Sequence, residues 1–225
     1  ISVLGTYDVP NTDIVPAPAD VVFRIAGAAN DFATALQSEM IRAVASPLLD
    51  PKQTSGTVEM DIALHYPQKP DLKPAEISVT SKGVFRNLHI DHAFGREPLD
   101  NGTVTVTLDP TGLVMSGEGL LGQAPSQFEI KQKANMPTQD ATVTMMIDDV
   151  LREKKQMRIK DVVNGPLALS LKITGIGGPK IHGQGDIDLQ KASINGLVPG
   201  WIRPAGKPGK INFNFAVLND QSIKL

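Results

Sequence analysis

Thr57-Val58-Glu59-Met60-Asp61-Ile62-Ala63-Leu64-His65-Tyr66 is the stretch whose reading decides the fold. Val58, Met60, Ile62, Leu64 and Tyr66 fall on one parity, while Thr57, Glu59, Asp61 and His65 fall on the other. Successive side chains of a β-strand point to opposite faces, so this alternation gives a strand with one apolar and one wet face. The same period recurs along the chain. It appears at Val104, Val106 and Leu108, and again at Val143, Met145 and Ile147. It returns at Leu167, Leu169, Leu171 and Ile173, at Ile187 and Leu189, and at Ile211, Phe213, Phe215 and Val217. Asp109-Pro110-Thr111-Gly112 supplies a tight turn, because proline presets φ and glycine is free to take φ > 0. An antiparallel meander follows.

A weak repeat reinforces the hairpins. Gly56-Thr57-Val58, Gly102-Thr103-Val104 and Gly165-Pro166-Leu167 each open an alternating strand. The return strands carry mid-strand glycines at Gly83, at Gly117 and Gly119, and at Gly183 and Gly185. Glycine inside a strand often marks a bulge, and bends at matching places would curl the sheet into a trough. Only two segments read as helix. Asn30 or Asp31 can cap a stretch to about Val44, with Phe32, Leu36, Met40 and Val44 on one stripe and Ser46-Pro47 as its stop. Asp149 to Lys155 is the second, begun by Asp148-Asp149, with Arg152, Lys154 and Lys155 read as a solvated basic face. The expected organisation is a strand plus amphipathic helix over 1–50 and a hairpin groove over 51–225, continuous with it as one domain.

Composition limits the function. With a net charge of −2, a pI of about 6.1 and 4% aromatics, the chain offers neither the field nor the stacking platforms that gather nucleic acid. It has no cysteine, which removes disulfides and thiolate metal sites and fits cytoplasm and periplasm equally well. No apolar run approaches the roughly 20 residues of a membrane helix. The chain starts at Ile1 rather than methionine, as a processed chain or a piece of a longer one would.

The motifs that suggest chemistry are weak. Gly117-Glu118-Gly119-Leu120-Leu121-Gly122 spells GxGxxG, but a dinucleotide site needs those glycines between a strand and a helix, and here they sit in a return strand. His89 and Asp91 share a strand face while His92 points away, so solvent-facing roles outweigh metal ligation. Asn101-Gly102-Thr103 reads as a turn pair before it reads as a glycosylation site. Asp186 and Asp188 fit a wet strand face. No catalytic residue, metal site or cofactor is expected. Trp201, the only tryptophan, either plugs one end of the core or stands as a rim or lid residue beside a groove.

The residues leave two architectures open. A sheet with one apolar face can close as a sandwich filled by its own side chains, or it can leave that face for an apolar occupant. Partner docking by edge strands goes with the first. A sugar-active or hydrolytic jelly roll would need converging carboxylates, which the sequence does not advertise.

Gly112-Leu113-Val114-Met115-Ser116-Gly117-Glu118-Gly119-Leu120-Leu121-Gly122-Gln123-Ala124-Pro125, followed by Phe128-Glu129-Ile130, resembles a hairpin of AsmA-like proteins of the YhdP branch. Asp188-Leu189-Gln190-Lys191-Ala192-Ser193-Ile194 and Gly200-Trp201-Ile202-Arg203-Pro204-Ala205-Gly206-Lys207-Pro208-Gly209 resemble that family's ending, with Arg203 in place of its usual lysine. The resemblance runs from about Ser55 to Val217. It implies a mostly-β fold, a curved antiparallel β-groove (taco-like) with one or two short helices at its rim. It further implies a periplasmic segment of a longer protein anchored in the inner membrane, holding phospholipid or another acyl lipid. Edge strands could continue into neighbouring segments. The lipid-binding residues expected on this reading are the alternating apolar ones: Val58, Met60, Ile62, Leu64, Val104, Val106, Leu108, Val143, Met145, Ile147, Leu167, Leu169, Leu171, Ile173, Phe213 and Phe215, with Trp201 at the rim. Exposing an acyl chain to water costs about 0.8 kcal/mol per methylene, so a continuous aliphatic surface is what a carrier needs. Flexible Met60, Met115, Met145 and Met146 suit chains of no fixed shape.

Overall fold

Alternation at period two produces what it should: the chain is 62% strand, in antiparallel sheet that does not close on itself, with two short helices among the described residues. The computed structural model describes residues 1–37, 49–159, 162–196, 200–217 and 223–224. The chain divides into two compact units, residues 1–119 with 133–135, and residues 120–132 with 136–225.

The first unit holds β1 (Ser2–Asp8), β2 (Pro18–Ala28), α1 (Ala29–Leu36), β3 (Thr54–Pro67), a 3-10 turn (Pro74–Glu76), β4 (Ser78–Phe94), β5 (Glu97–Asp109) and most of β6 (Gly112–Leu121). Its strands lie side by side in sequence order. Register stacks the apolar parity into rows across the strands, since directly paired residues of antiparallel strands share a face. Val3, Ile25, Met60, Gly83 and Val106 form one row, and Phe23, Ile62, Ser81 and Leu108 the next. Gly27, Val58, Phe85 and Val104 form a third, and α1 covers it. Phe32 of α1 meets Phe85 edge-on, with centroids 5.9 Å apart at 67°, an arrangement worth about 0.5–1.5 kcal/mol beyond its burial. The opposite face is charged: Arg24 grips its cross-strand partner Asp61 with two hydrogen bonds, of 2.7 and 3.0 Å. Both groups are exposed, so the pair adds little stability.

The second unit holds β7 (Ala124–Lys133), β8 (Gln139–Ile147), α2 (Asp149–Lys154), β9 (Val163–Asn164), β10 (Leu167–Ile176), β11 (Ile181–Asp188), β12 (Ser193–Asn195), β13 (Ile202–Arg203), β14 (Lys210–Val217) and β15 (Ile223–Lys224). Strands β7, β8, β10, β11, β14 and β15 follow one another in the sheet, and β13, β12 and β9 make a small separate one. Val163, Leu167, Leu189, Ala192 and Ile194 form a core where the small sheet meets the start of β10.

Several expectations need correction. Three of the mid-strand glycines mark no bulge: Gly83, Gly183 and Gly185 sit in unbroken register. A Cβ at any of them would collide with the partner strand, with the Glu59 carbonyl oxygen and the Met60 Cβ at Gly83, the Phe215 ring at Gly183 and the Phe213 ring at Gly185. The bulges run elsewhere, as a line across the first unit. β4 carries Asn87 and Leu88 against Gly56 of β3, and it carries Arg86 and Asn87 against Thr103 of β5. One step further, β5 carries Asp100 and Asn101 against His89. Gly56, Asn87 and Asn101 have φ of 114°, 49° and 53°, the left-handed values that let an extra residue be absorbed while the strand bends. Asn101-Gly102 is therefore a bulge inside β5, not a turn.

The N-cap of α1 is Ala28, with no side-chain bond, rather than Asn30 or Asp31. Asp31 instead lies in the first turn, 3.9 Å from the amino group of Ile1. Met40, Val44, Ser46 and Pro47 lie outside the described residues. Helix α2 does begin at Asp148, whose carboxylate accepts the Leu151 N–H at 2.8 Å. Arg152, however, is not on a solvated face. It is 0% exposed.

Candidate functional site

The expected lining residues fall on one face in each unit. In the first unit Val58, Met60, Ile62, Leu64, Val104, Val106 and Leu108 share the apolar parity. Their exposure grades along the strands. Val58, Met60, Val104 and Val106 are buried, whereas Ile62, Leu64 and Leu108 are only half-buried. Phe23 and Ile25 of β2 complete the same rows and are also half-buried.

In the second unit register aligns Ser126, Met145, Leu169, Ile187 and Ile211. Phe128, Val143, Leu171, Gly185 and Phe213 form the adjacent row, and Ile130, Ala141, Ile173, Gly183 and Phe215 the next. Leu167 pairs with Ile147 at the end that runs into the small-sheet core. Val143, Leu167, Leu171 and Ile173 are buried, while Met145, Ile147, Leu169, Phe213 and Phe215 remain half-buried. Phe213 and Phe215 lie 6.2 Å apart, each across a glycine of β11. Bare backbone is thereby covered by aromatic surface, a device that fixes strand pairing where glycine has none to offer.

Trp201 is 44% exposed and plugs no core. Phe23, Ile25, Phe128 and Ile130 join the expected lining, since they continue its rows. In β2 the alternation is blurred by Val22, an apolar residue on the wet face that is itself exposed.

Two buried or part-buried guanidinium groups hold the second unit's turns. Arg152 donates to the carbonyl oxygens of Ile147 (2.9 Å), Val163 (3.2 Å) and Gly165 (2.8 Å), and it pairs with Asp149. Asp149 in turn accepts from the Gly165 N–H. Arg203 donates to the carbonyls of Leu189 (2.8 Å) and Ala192 (2.9 Å), and to that of Lys207. A planar fork suits several carbonyls at once, which a lysine could not match.

His89 is half-buried between two carboxylates, Asp100 at 2.7 Å from Nδ1 and Asp91 at 3.0 Å from Nε2. The hydrogen bond that it donates to Asp100, then that to Asp91, raises its pKa above the ordinary 6.5. This cluster ties β4 to β5 at the bulge. His92 is exposed. Among the described residues no three His, Asp or Glu side chains are placed to hold a metal, and no helix is long and apolar enough to cross a membrane. The glycines of the GxGxxG run lie on β6 and in the turn after it, where Gly122 and Gln123 take φ of 56° and 75°. No helix N-terminus follows them, so the run lacks the element that would receive a pyrophosphate.

No family model, no curated protein and no solved structure matches the chain.

Proposed function

We propose that this chain is a non-enzymatic lipid-binding segment of a Gram-negative envelope protein of the AsmA-like, YhdP-type class, working in the periplasm. Phospholipid acyl chains lie on the apolar rows of its sheet while headgroups stay wet. The membrane anchor belongs to another part of the parent protein. The observation that carries the reading is the run of half-buried aliphatic side chains on one face of each unit: Ile62, Leu64 and Leu108 in the first, Met145 and Leu169 in the second. A sandwich would bury these positions under a second sheet. Apolar area left open at ~25 cal/mol per Å² is a standing cost unless an apolar occupant removes it.

A photo-crosslinking residue placed in turn at Ile62 and at Leu169 tests the reading in the periplasm of a Gram-negative host. Lipid adducts at both positions, and none at the wet-face positions Asp61 and Lys172, support it. Adducts on neither face would refute it.

A second reading has one observation in its favour. Strand β1 pairs with β2 alone, and all seven of its residues are exposed. An edge of that kind takes up an added strand, so a scaffold that docks partners by edge pairing accounts for it as well.

A further inference from the structure

The small sheet of the second unit has its polarity turned inside out. Register pairs Val163 with Ile194 and Ile194 with Arg203, so these three share a face. Val163 and Ile194 are buried in the core cluster. On the other face Asn195 pairs with Ile202. Arginine is thus turned toward the core and isoleucine toward water, and Ile202 is 64% exposed. Trp201 precedes it directly, also exposed.

The arrangement is held in place. Arg203 fixes the carbonyls of Leu189, Ala192 and Lys207, the Gly206 N–H bonds Gln190 O at 2.7 Å, and the Leu189 N–H bonds Gly209 O at 2.9 Å. An exposed Trp-Ile pair on a pinned loop is not a folding necessity, and a local rule broken without a folding gain points to a surface used for something else. The charge around it says what. Residues 186–210 contain Lys191, Arg203, Lys207 and Lys210 against Asp186 and Asp188, an excess of positive charge in a chain whose net charge is −2. Lys210 meets Asp186, but Lys191 and Lys207 are exposed and make no ion pair among the described residues. Both sit on the segments that Arg203 pins.

We propose that this platform docks on an anionic phospholipid surface, with Trp201 and Ile202 entering the interfacial layer and Lys191 and Lys207 meeting headgroup phosphates. Tryptophan favours the boundary between headgroup and acyl layers, and each lysine near an anionic membrane adds attraction that salt screens. The proposal does not depend on the acyl-chain reading above.

Trp201 is the only tryptophan, so its emission reports the docking directly. The purified chain is mixed with phosphatidylglycerol–phosphatidylcholine vesicles and with phosphatidylcholine vesicles. The expected result is a blue shift and quenching by brominated lipid on the anionic vesicles, reversed by salt. Ile202→Glu, and separately Lys191→Glu with Lys207→Glu, should each weaken vesicle binding by about tenfold or more. All three positions are exposed, and the variants are compared by vesicle binding only after circular dichroism shows the parent's fold. Unchanged emission and no co-sedimentation with anionic vesicles would overturn the proposal. So would a shift produced by an acidic polypeptide but not by vesicles, which would assign the platform to a protein partner. Leu169→Glu keeps the two ideas apart: docking should survive it, and if lipid loading survives it too, only the acyl-chain reading falls.

Discussion

Phe213 lies across Gly185, its directly paired neighbour on the adjacent strand, with the far edge of its ring where a Cβ would stand. The glycine and the ring form one unit of packing. Gly185→Ala should therefore destabilise the chain by about 1–3 kcal/mol through displacement of the ring. In a double-mutant cycle most of that cost should vanish once Phe213→Ala has removed the ring. Urea denaturation of the four proteins measures this. Strict additivity would show that the ring and the glycine are not coupled.

Arg152 gathers three carbonyls and Asp149 around a fully buried guanidinium. Arg152→Met should cost about 2–4 kcal/mol, because the carbonyls lose a charged donor and gain nothing. Arg152→Lys should recover little, since one ammonium cannot span the fork. Chemical denaturation with a probe in the second unit reads the effect. Near-complete rescue by lysine would contradict the geometry.

His89 makes stability depend on pH in a definite direction. Its folded pKa is raised by Asp100 first and Asp91 second. The charged form is favoured in the fold, so the His89 contribution is fully present below the ordinary histidine value of 6.5 and is lost as the pH rises through the raised value. Thermal midpoints taken from mildly acidic to mildly alkaline buffer should fall more steeply for the native protein than for His89→Gln. Parallel profiles would remove His89 from the account.

The bend line makes a similar commitment. Gly56 has φ of 114°, and a Cβ there would come within 2.7 Å of the Asn87 carbonyl oxygen. Gly56→Ala should cost about 2 kcal/mol, while Asn101→Gly, which keeps the left-handed backbone, should stay within about 0.5 kcal/mol of the parent. Thermal unfolding separates them. An alanine tolerated at Gly56 would mean that the bulge relaxes without loss.

What the sequence disclosed follows from which signals are periodic. Alternation at Val58 to Leu64 or Leu167 to Ile173 repeats over many residues, so strand identity and the shared apolar face could be read directly. The cap at Asp148 and the turn at Asp109-Thr111 are local hydrogen bonds, and Asp109 does accept from the Thr111 N–H at 2.7 Å. Other features had no period to read. The burial of Arg152 depends on carbonyls 11 to 13 residues away meeting a one-turn helix. Gly183 and Gly185 read as bends, yet they answer to the Phe215 and Phe213 rings on the neighbouring strand, a relation that register alone reveals. The outward turn of Ile202 was hidden for the same reason: two residues of strand are too few to show which face is wet.

The most direct test of the central claim is native mass spectrometry, with lipid extraction, of the chain purified from a Gram-negative periplasm. The account predicts co-purified phospholipid at a reproducible stoichiometry, lost when Leu169 is replaced by Glu in a protein that still folds. A clean apo mass that takes up no added lipid would contradict it and leave the apolar face to a protein partner.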